Sequence, residues 1–327
     1  ASSHWLLAWM GLEINTLAII PLMAQQHHPR AVEATTKYFL TQATAAATLL
    51  FASMMNAWMT GEWSINYLSH PVAMAIATMA LALKVGLAPL HFWLPEVLQG
   101  LDLTTGLIMS TWQKLAPLAL LVQISHNTSP LIMTTLGLMS TIIGGWGGLN
   151  QTQLRKILAY SSIAHLGWMA IILQYAPQLT MLTLGVYIIM TSATFLAFKM
   201  ASSTKINTLA LTWTTNPILM TITILTLLSL GGLPPLTGFL PKWLILQELT
   251  KQDLPLISTI IALSALLSLY YYLRLCYAMA LTISPNTNNA TTPWRFQNIQ
   301  TTLPLAIFAT MTITMLPLAP MFVALTE

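Results

Sequence analysis

A short motif that interrupts helices occurs twice in this chain. Residues 86–96 read GLAPLHFWLPE, and residues 232–242 read GLPPLTGFLPK. A glycine followed closely by proline ends or kinks a helix, because proline lacks a backbone N–H and clashes with the preceding turn. Within a membrane, such breaks in two related halves indicate an ion or substrate site beside protein or water. The repeat therefore predicts two related halves that each contain a broken helix. The breaks are expected at Gly86, Pro89, Gly232 and Pro235.

The composition indicates which solvent surrounds most of the chain. Hydrophobic residues make up 56% of the sequence, charged residues make up 6%, and the mean hydropathy is +0.70. An ordinary soluble domain contains about 25% charged residues. Segments that alternate at period two, as in a porin-like barrel, are absent from the sequence, so helices are favoured. We therefore predict an all-α polytopic membrane protein.

About ten transmembrane helices are predicted, because a helix needs about 20 apolar residues to cross a bilayer. The apolar stretches lie at 4–23, 37–59, 71–94, 103–124, 130–149, 154–173, 179–199, 216–248, 254–280 and 301–325. The eighth stretch is too long for one crossing and fits two half-helices around the second break. The chain is expected to be a single transmembrane domain over 1–327, with approximate halves at 1–149 and 150–280 and a C-terminal helix at 301–325.

The basic residues predict the orientation of the chain. If every stretch crosses, one face carries eight of the 12 Lys and Arg residues, and the other carries only Lys251. Such an excess marks the face toward the cytosol or the mitochondrial matrix, and it places the C-terminus on the opposite side. This pattern accounts for most of the net charge of +4, so nucleic-acid binding has no separate support. The basic residues on the first face are Arg30, Lys37, Arg155, Lys156, Lys199, Lys205, Arg274 and Arg295.

Three of the 12 basic residues, Lys84, Lys114 and Lys242, cannot be placed in any loop, and Glu13 is the one acid expected to share their depth. A charge at the bilayer centre costs about 2.5–3.5 kcal/mol on translocon scales, so these groups should face each other or water. Burial lowers the pKa of an amine and a nearby carboxylate raises it, so such a pair can load and release a proton near neutral pH. We predict that Glu13 modulates Lys84. Lys114 and Lys242 are expected to be further stations of a proton relay, and the alternative is structural ion pairs that fix helix registry.

Two histidines and three hydroxyl residues are weaker candidates. His91 and His165 can bridge proton transfers, because imidazole titrates near neutral pH, or they can be hydrogen-bonded packing residues. Ser161, Ser162 and Thr237 can hold water, but satisfying carbonyl groups freed by helix kinks is the favoured interpretation.

The sequence offers no site for a redox cofactor or a metal. Its one cysteine, Cys276, excludes an internal disulfide and a four-cysteine zinc or iron–sulfur site. The run at 144–148, GGWGG, matches neither GxGxxG nor a P-loop, and it is interpreted as close helix packing. No cofactor is therefore expected on this chain.

Four motifs resemble the antiporter-like subunits of respiratory complex I. They read HWLLAWMGLEIN at 4–15, APLHFWLPE at 88–96, WQKLAP at 112–117 and GFLPKW at 238–243. The resemblance covers essentially the whole chain, and the order of the motifs makes it specific. It implies two inverted five-helix halves and a buried proton path. The positions that match the path in that family are Glu13, Lys84, Lys114 and Lys242.

The resemblance also implies an activity, a location and partners. The chain would be a proton-pumping subunit of NADH:ubiquinone oxidoreductase in the mitochondrial inner membrane, with its C-terminus on the intermembrane-space side. FMN, iron–sulfur clusters and ubiquinone are expected in partner subunits. The expected partners are other complex I membrane subunits, including neighbouring antiporter-like subunits, and phospholipids. Two departures are noted: a first helix of the animal members is expected to be missing before Ala1, and some related subunits carry glutamate at the position of Lys242.

Two other functions remain open. A stand-alone cation/proton antiporter would show a similar fold and similar buried charges, but a tight sodium site would need an intramembrane aspartate. Both aspartates, Asp102 and Asp253, fall in predicted loops. In the other alternative the chain is a membrane scaffold whose buried charges only hold partners together.

Overall fold

The structure is a computed structural model that describes residues 2–25, 27–214, 216–281 and 302–326, and these form helices and no β-strand. The predicted all-α class is confirmed. The helices are α1 (Trp5–Ala24), α2 (Pro29–Thr60), α3 (Pro71–Val85), α4 (Trp93–Gly100), α5 (Leu103–Ser110), α6 (Trp112–Ile124), α7 (Pro130–Gly148), α8 (Leu154–Ile172), α9 (Pro177–Met200), α10 (Ile206–Leu211), α11 (Pro217–Gly231), α12 (Phe239–Lys251), α13 (Pro255–Ala280), α14 (Leu303–Thr314) and α15 (Ala319–Thr326). Arg295, used above for the orientation, lies outside the described residues.

Six helical segments of the described chain are long and apolar enough to cross a membrane, and three shorter apolar helices accompany them. The six are Trp5–Ala24, Pro29–Thr60, Leu103–Ile124, Pro130–Gly148, Pro177–Met200 and Pro255–Ala280; the shorter ones are α3, α11 and α14. Each of the ten predicted stretches contains one helix or a pair of helices. The sixth stretch forms α8, which begins with the basic residues Arg155 and Lys156 and is not one of the six.

Local chemistry explains where α2 begins. The helix starts at Pro29, earlier than the apolar pattern predicts. Proline is favoured at the first helical position because its missing N–H would be unpaired there in any case. His28 caps the end, since its Nδ1 accepts a hydrogen bond from Arg30 N at 3.2 Å. The first two turns of α2 carry the charged residues Arg30 and Glu33, as expected where a helix leaves the apolar region.

Both predicted helix breaks are present. α3 ends at Val85 and α11 ends at Gly231, and the next residue in each case is a glycine in the left-handed region, with φ +90° at Gly86 and +80° at Gly232. Residues with a side chain rarely adopt this conformation, which ends a helix because the following amide turns back onto the last turn. Gly86 N and Leu87 N both donate to Ala82 O at 2.9 Å.

The described chain divides into two compact units. The first comprises Ala1–Ile143 and Ser162–Pro177, and the second comprises Gly144–Ser161 and Gln178–Glu327. In the first unit α2 packs on α1, α3 and α4, and α6 packs on α1, α3 and α5. In the second unit α13 packs on α10, α11 and α12, and α11 packs on α14.

Small residues bring helices close together within each unit. In the first unit a Cβ at Gly167 would lie 2.8 Å from Gly137 O. In the second unit a Cβ at Gly148 would lie 2.7 Å from the ring of Tyr271, and one at Gly147 would overlap the ring of Tyr160. The interpretation of the GGWGG run as close helix packing is confirmed.

Candidate functional site

Lys84 lies in the last turn of α3, directly before the first break. Only 5% of the residue is exposed, and its Nζ has no hydrogen-bond partner among the described residues. Trp93, which opens α4 after the break, donates its indole N–H to Leu83 O at 3.0 Å and so satisfies a carbonyl group at the helix end. Lys84 therefore belongs to the last turn of a half-helix, where the helix dipole is negative.

Glu13 lies half-buried in the middle of α1, in the same compact unit as Lys84. Its Oε2 is buried and accepts no hydrogen bond from the described residues. The carboxylate interacts electrostatically with Lys84 and with the buried hydroxyl of Tyr38. In the described part of the chain, no direct ion pair joins Glu13 to Lys84. The carboxylate and the amine therefore interact electrostatically without direct contact. A carboxylate that modulates the proton affinity of an amine can act in this way.

Lys114 lies in the first turn of α6 and is 2% exposed. The turn is irregular, because Thr111 (φ −112°, ψ −69°) separates α5 from α6. α6 packs against α3, the helix that carries Lys84, and both lysines belong to the first compact unit. A lysine sequestered from water at this depth must contact other polar groups or trapped water to remain charged.

A pair of amides joins α1 to α6 next to these charges, and sequence reasoning did not single it out. Asn15 Nδ2 donates to Gln113 Oε1 at 2.8 Å, and Gln113 Nε2 donates to Asn15 Oδ1 at 3.3 Å. Asn15 lies two residues after Glu13, and Gln113 directly precedes Lys114. Both amides line a cavity of about 400 Å³ on the α1 and α5–α6 side. The pair holds the two charge-bearing helices in register.

We expect the replacement Asn15→Leu to destabilise the chain, because it leaves the Gln113 amide unpaired. An unsatisfied polar group costs about 1–3 kcal/mol when fully buried, so a loss of about 1 kcal/mol is expected for these half-buried amides, whereas replacing both partners by apolar groups costs less. Asn15→Leu and Gln113→Leu should therefore each lower the free energy of unfolding, and the double variant should lose less than the sum. Thermal inactivation of the assembled protein measures the effect. Additive losses in the double variant would show that the amides are not coupled.

Lys242 lies in the first turn of α12, directly after the second break. Its Nζ donates to Gly231 O at 2.7 Å. The side chain lies so close to Gly232 that a Cβ there would come within 2.9 Å of Nζ. The last carbonyl groups of a helix have no partner within the helix. The ammonium of Lys242 satisfies one of them at the end of α11.

The other predicted residues are distributed as follows. His91 is buried after the first break, with Nδ1 3.3 Å from Pro89 O, and His165 lies half-buried in α8. Thr237 donates to Thr312 O at 2.8 Å, and Ser161 donates to Leu158 O at 2.8 Å. Both hydroxyls therefore donate to carbonyl groups, and Ser161 does so within the continuous helix α8. Glu13, Lys84 and Lys114 lie in the first unit, whereas Lys242 lies in the second.

The class of protein follows from the fold, the two breaks and the comparison with known families. The chain matches the family described as NADH:quinone oxidoreductase/Mrp antiporter, transmembrane, over residues 2–268. It matches the family described as NADH dehydrogenase subunit 2 C-terminus over residues 269–323. The chain belongs to the NADH:quinone oxidoreductase/Mrp antiporter family of membrane proteins.

Within that class, particular relatives are very similar. NADH-ubiquinone oxidoreductase chain 2 of Cyprinus carpio is 73% identical over 326 residues, which cover 100% of this chain and 94% of the relative. The same protein of Danio rerio is 68% identical over 326 residues, with coverage of 100% and 94%. These matches confirm the resemblance to the subunits of respiratory complex I that the four motifs indicated.

Solved structures agree with the fold. A chain of respiratory complex I from Thermus thermophilus with bound aureothin is 28% identical, with a TM-score of 0.84 and coverage of 98% of this chain and 75% of that chain. A chain of the Mrp complex from Dietzia sp. DQ12-45-1b is 16% identical, with a TM-score of 0.85 and coverage of 99% and 73%. The second likeness concerns the fold alone.

Proposed function

We propose that this chain is the proton-translocating membrane subunit of NADH:ubiquinone oxidoreductase, respiratory complex I, in the mitochondrial inner membrane. The observation that supports this most strongly is the placement of three lysines at the helix breaks and beside them, two of them buried and one half-buried. Lys84 and Lys114 are buried, and Lys242 binds the carbonyl end of a half-helix. Ionisable groups in such places are functional by default, because their charge is costly unless a partner or water compensates it. The relatives that share the whole chain are subunits of NADH-ubiquinone oxidoreductase.

The proposed chemistry is proton transfer through amines, a carboxylate and water. A neutral amine accepts a proton from a neighbouring water, and that water takes a proton in turn from the next water or protonated group along the path. The resulting ammonium repels positive charge, so a protonated neighbour releases its proton onward. Glu13 favours loading of Lys84, because its carboxylate attracts the ammonium. Only N–H and O–H bonds form and break in these steps. Electrons pass through FMN, iron–sulfur clusters and ubiquinone in partner subunits, and conformational or electrostatic signals from there drive the transfer.

The proposal also includes the orientation of the chain in the membrane and its partners. The basic residues favour an orientation with the C-terminus on the intermembrane-space side. The partners would be other complex I membrane subunits, including neighbouring antiporter-like subunits, with phospholipids at the lipid-facing surfaces. Large exposed apolar side chains such as Trp58, Trp146 and Ile218 fit contact with lipid or with a neighbouring subunit.

Purification from native membranes tests this assignment. Migration of the chain with proteins that contain flavin and iron supports a subunit of complex I. Migration apart from them, together with cation-for-proton exchange by the isolated chain in liposomes, would support a stand-alone antiporter instead.

The antiporter is retained as a second candidate because of the fold shared with the Mrp complex chain. The positions of the two aspartates argue against an antiporter that binds sodium. Asp102 is the N-cap residue of α5, and Asp253 lies in the turn between α12 and α13. A dehydrated sodium ion prefers several oxygen ligands held together, and neither residue lies within an apolar helix. The buried charges of this chain are mostly amines, which suit protons and not sodium.

We expect Glu13→Gln to shift the pH dependence of pumping to lower pH. The change removes the carboxylate that attracts the Lys84 ammonium, so loading of Lys84 requires a higher proton concentration. The expected shift is about one pH unit, the low end of what an opposite charge at short range produces. The measurement is the pumping rate of the reconstituted complex between acid and alkaline pH. Glu33→Gln is the matched control, because Glu33 is an exposed carboxylate that pairs with Lys37. Identical profiles for the Glu13 variant and the parent would show that Glu13 and Lys84 do not interact.

A further inference from the structure

A cluster of three buried hydroxyl groups lies in the second unit, and the relay described above does not use it. The hydroxyl cluster consists of Ser161 in α8 and Tyr271 and Tyr272 in α13. Ser161 is fully buried, and each tyrosine is 1% exposed. The two rings meet edge to face, with centroids 4.6 Å apart. The Tyr272 hydroxyl lies near those of Ser161 and Tyr271.

The tyrosine hydroxyls are polar groups that the surrounding protein does not satisfy. Neither makes a hydrogen bond of ordinary geometry with the described residues. Leaving a buried hydroxyl unpaired costs about 1–3 kcal/mol, so natural proteins rarely keep one without water or a functional reason. Phenylalanine would fill the same volume at no such cost. The two buried and unpaired hydroxyls of Tyr271 and Tyr272 therefore indicate a polar function.

One side of the hydroxyl cluster borders Lys242. A Cβ at Gly231 would lie 3.7 Å from Cδ2 of Tyr272, so the ring of Tyr272 packs against the last residue of α11. Gly231 O is the atom that accepts the hydrogen bond from Lys242 Nζ at 2.7 Å. The cluster thus begins one residue away from the amine at the second break.

The other side of the hydroxyl cluster borders the basic end of the second unit. Arg274 follows Tyr272 by two residues, about 3 Å along the axis of α13, and donates to Leu149 O at 2.7 Å. At the same end, Leu154 N donates to Thr204 O at 3.1 Å and joins the start of α8 to the segment after α9. The basic end is defined by Arg155, Lys156, Lys199, Lys205 and Arg274.

We propose that the hydroxyl cluster carries protons between Lys242 and the basic end of the second unit. A hydroxyl oxygen accepts a proton on one side and releases its own proton on the other, so each transfer forms one O–H bond and breaks another. Tyr272 packs against Gly231 at the end of α11 and Tyr271 packs against Gly148 at the end of α7, and water completes the hydrogen-bonded chain between the amine and the basic end. This deepens the proposed function and rests on it, because it gives Lys242 a connection to one face of the chain.

The test is the double variant Tyr271→Phe/Tyr272→Phe in the whole complex, reconstituted into liposomes. The rings and their packing stay in place, and only the two hydroxyls are removed. We expect the pumping rate to fall about tenfold, less than the roughly 100-fold or more that losing a positioned proton-transfer group costs, because water replaces a hydroxyl in part. The solvent deuterium isotope effect on pumping should rise, since proton transfer then limits the rate. Tyr270→Phe is the matched control, because Tyr270 is 60% exposed on the same helix.

The outcomes separate this inference from the function on which it rests. Normal pumping and an unchanged isotope effect in the double variant, together with loss of pumping in Lys242→Met, would overturn the role of the hydroxyl cluster alone. Normal pumping in Lys242→Met would overturn the relay through Lys242 and the inference with it. A slower double variant whose isotope effect matches the parent would indicate a packing role, which also contradicts the proposal. A slower double variant with a raised isotope effect, beside a normal Tyr270→Phe, supports it.

Discussion

Replacing Lys114 by methionine is expected to stop proton pumping while the complex still assembles. Methionine fills a similar volume without an amine, so the packing of α6 against α3 is kept. The amine is 2% exposed, and no bulk water can take its place in the relay. Losing a positioned proton-transfer group costs about 100-fold to 10,000-fold in rate. Proton uptake by liposomes that contain the complex, measured per NADH oxidised, shows the effect.

Lys251→Met is the matched control for this experiment. Lys251 carries the same charge in the last turn of α12, but its side chain is 61% exposed and pairs with Glu248 at 3.4 Å. This variant should pump at the parental rate. Unchanged pumping in Lys114→Met with intact assembly would contradict the relay and favour a scaffold whose charges only hold partners together.

The replacement Gly238→Ala is expected to prevent the second break from forming. A Cβ at this position would collide with Ser229 O, a backbone atom that cannot rotate away, and would lie 3.0 Å from Met190 Sδ. Overpacking that involves backbone belongs to the most destabilising class of substitutions, with losses of about 4–5 kcal/mol. The amount of assembled complex in membranes and its thermal midpoint should both fall sharply.

Gly185→Ala provides the comparison. Gly185 lies within α9, and a Cβ there meets nothing within 4 Å. Alanine favours the helix over glycine by about 0.8–1 kcal/mol, so this variant should be as stable as the parent or slightly more stable. Equal stability of the two variants would show that α11 and α12 do not approach each other as described.

Local chemistry made much of the fold predictable. The breaks at Gly86 and Gly232 follow from a glycine that tolerates positive φ and a proline that cannot continue a helix. The glycine and the proline of each break lie within a few residues of each other, so the signal is visible in the sequence alone. The ionisable residues were also predictable, because a charge in an apolar stretch stands out in the sequence. These signals do not depend on which helices meet in space.

The partners of the charged groups could not be predicted in the same way. The Asn15–Gln113 pair joins residues 98 positions apart, and no local pattern connects them. Lys242 bonds to a backbone carbonyl group and not to an acid, which the side-chain pattern does not reveal. The sequence alone does not single out Tyr271 and Tyr272 within α13. Their contacts with α11 and α8 are seen only in the folded chain. Such contacts depend on how the helices pack.

The two breaks share one feature that neither sequence copy shows. Lys84 lies within the last turn of α3, whereas Lys242 comes from the helix after the break and reaches back to the last turn of α11. Both lysines are thus associated with the last turn of the first half-helix, where the helix dipole favours positive charge. At the position that matches Lys242 in the first copy, Glu96 instead binds Lys37 at 2.7 Å.

The presence of water at the buried amines is the most direct test of the relay. An experimental map of the intact complex, at a resolution that shows ordered water, should reveal molecules about 3 Å from the Nζ atoms of Lys84, Lys114 and Lys242. These molecules should continue into the polar groups around each amine. Dry aliphatic packing around the three amines, with no polar continuity beyond their own contacts, would contradict proton conduction through this chain.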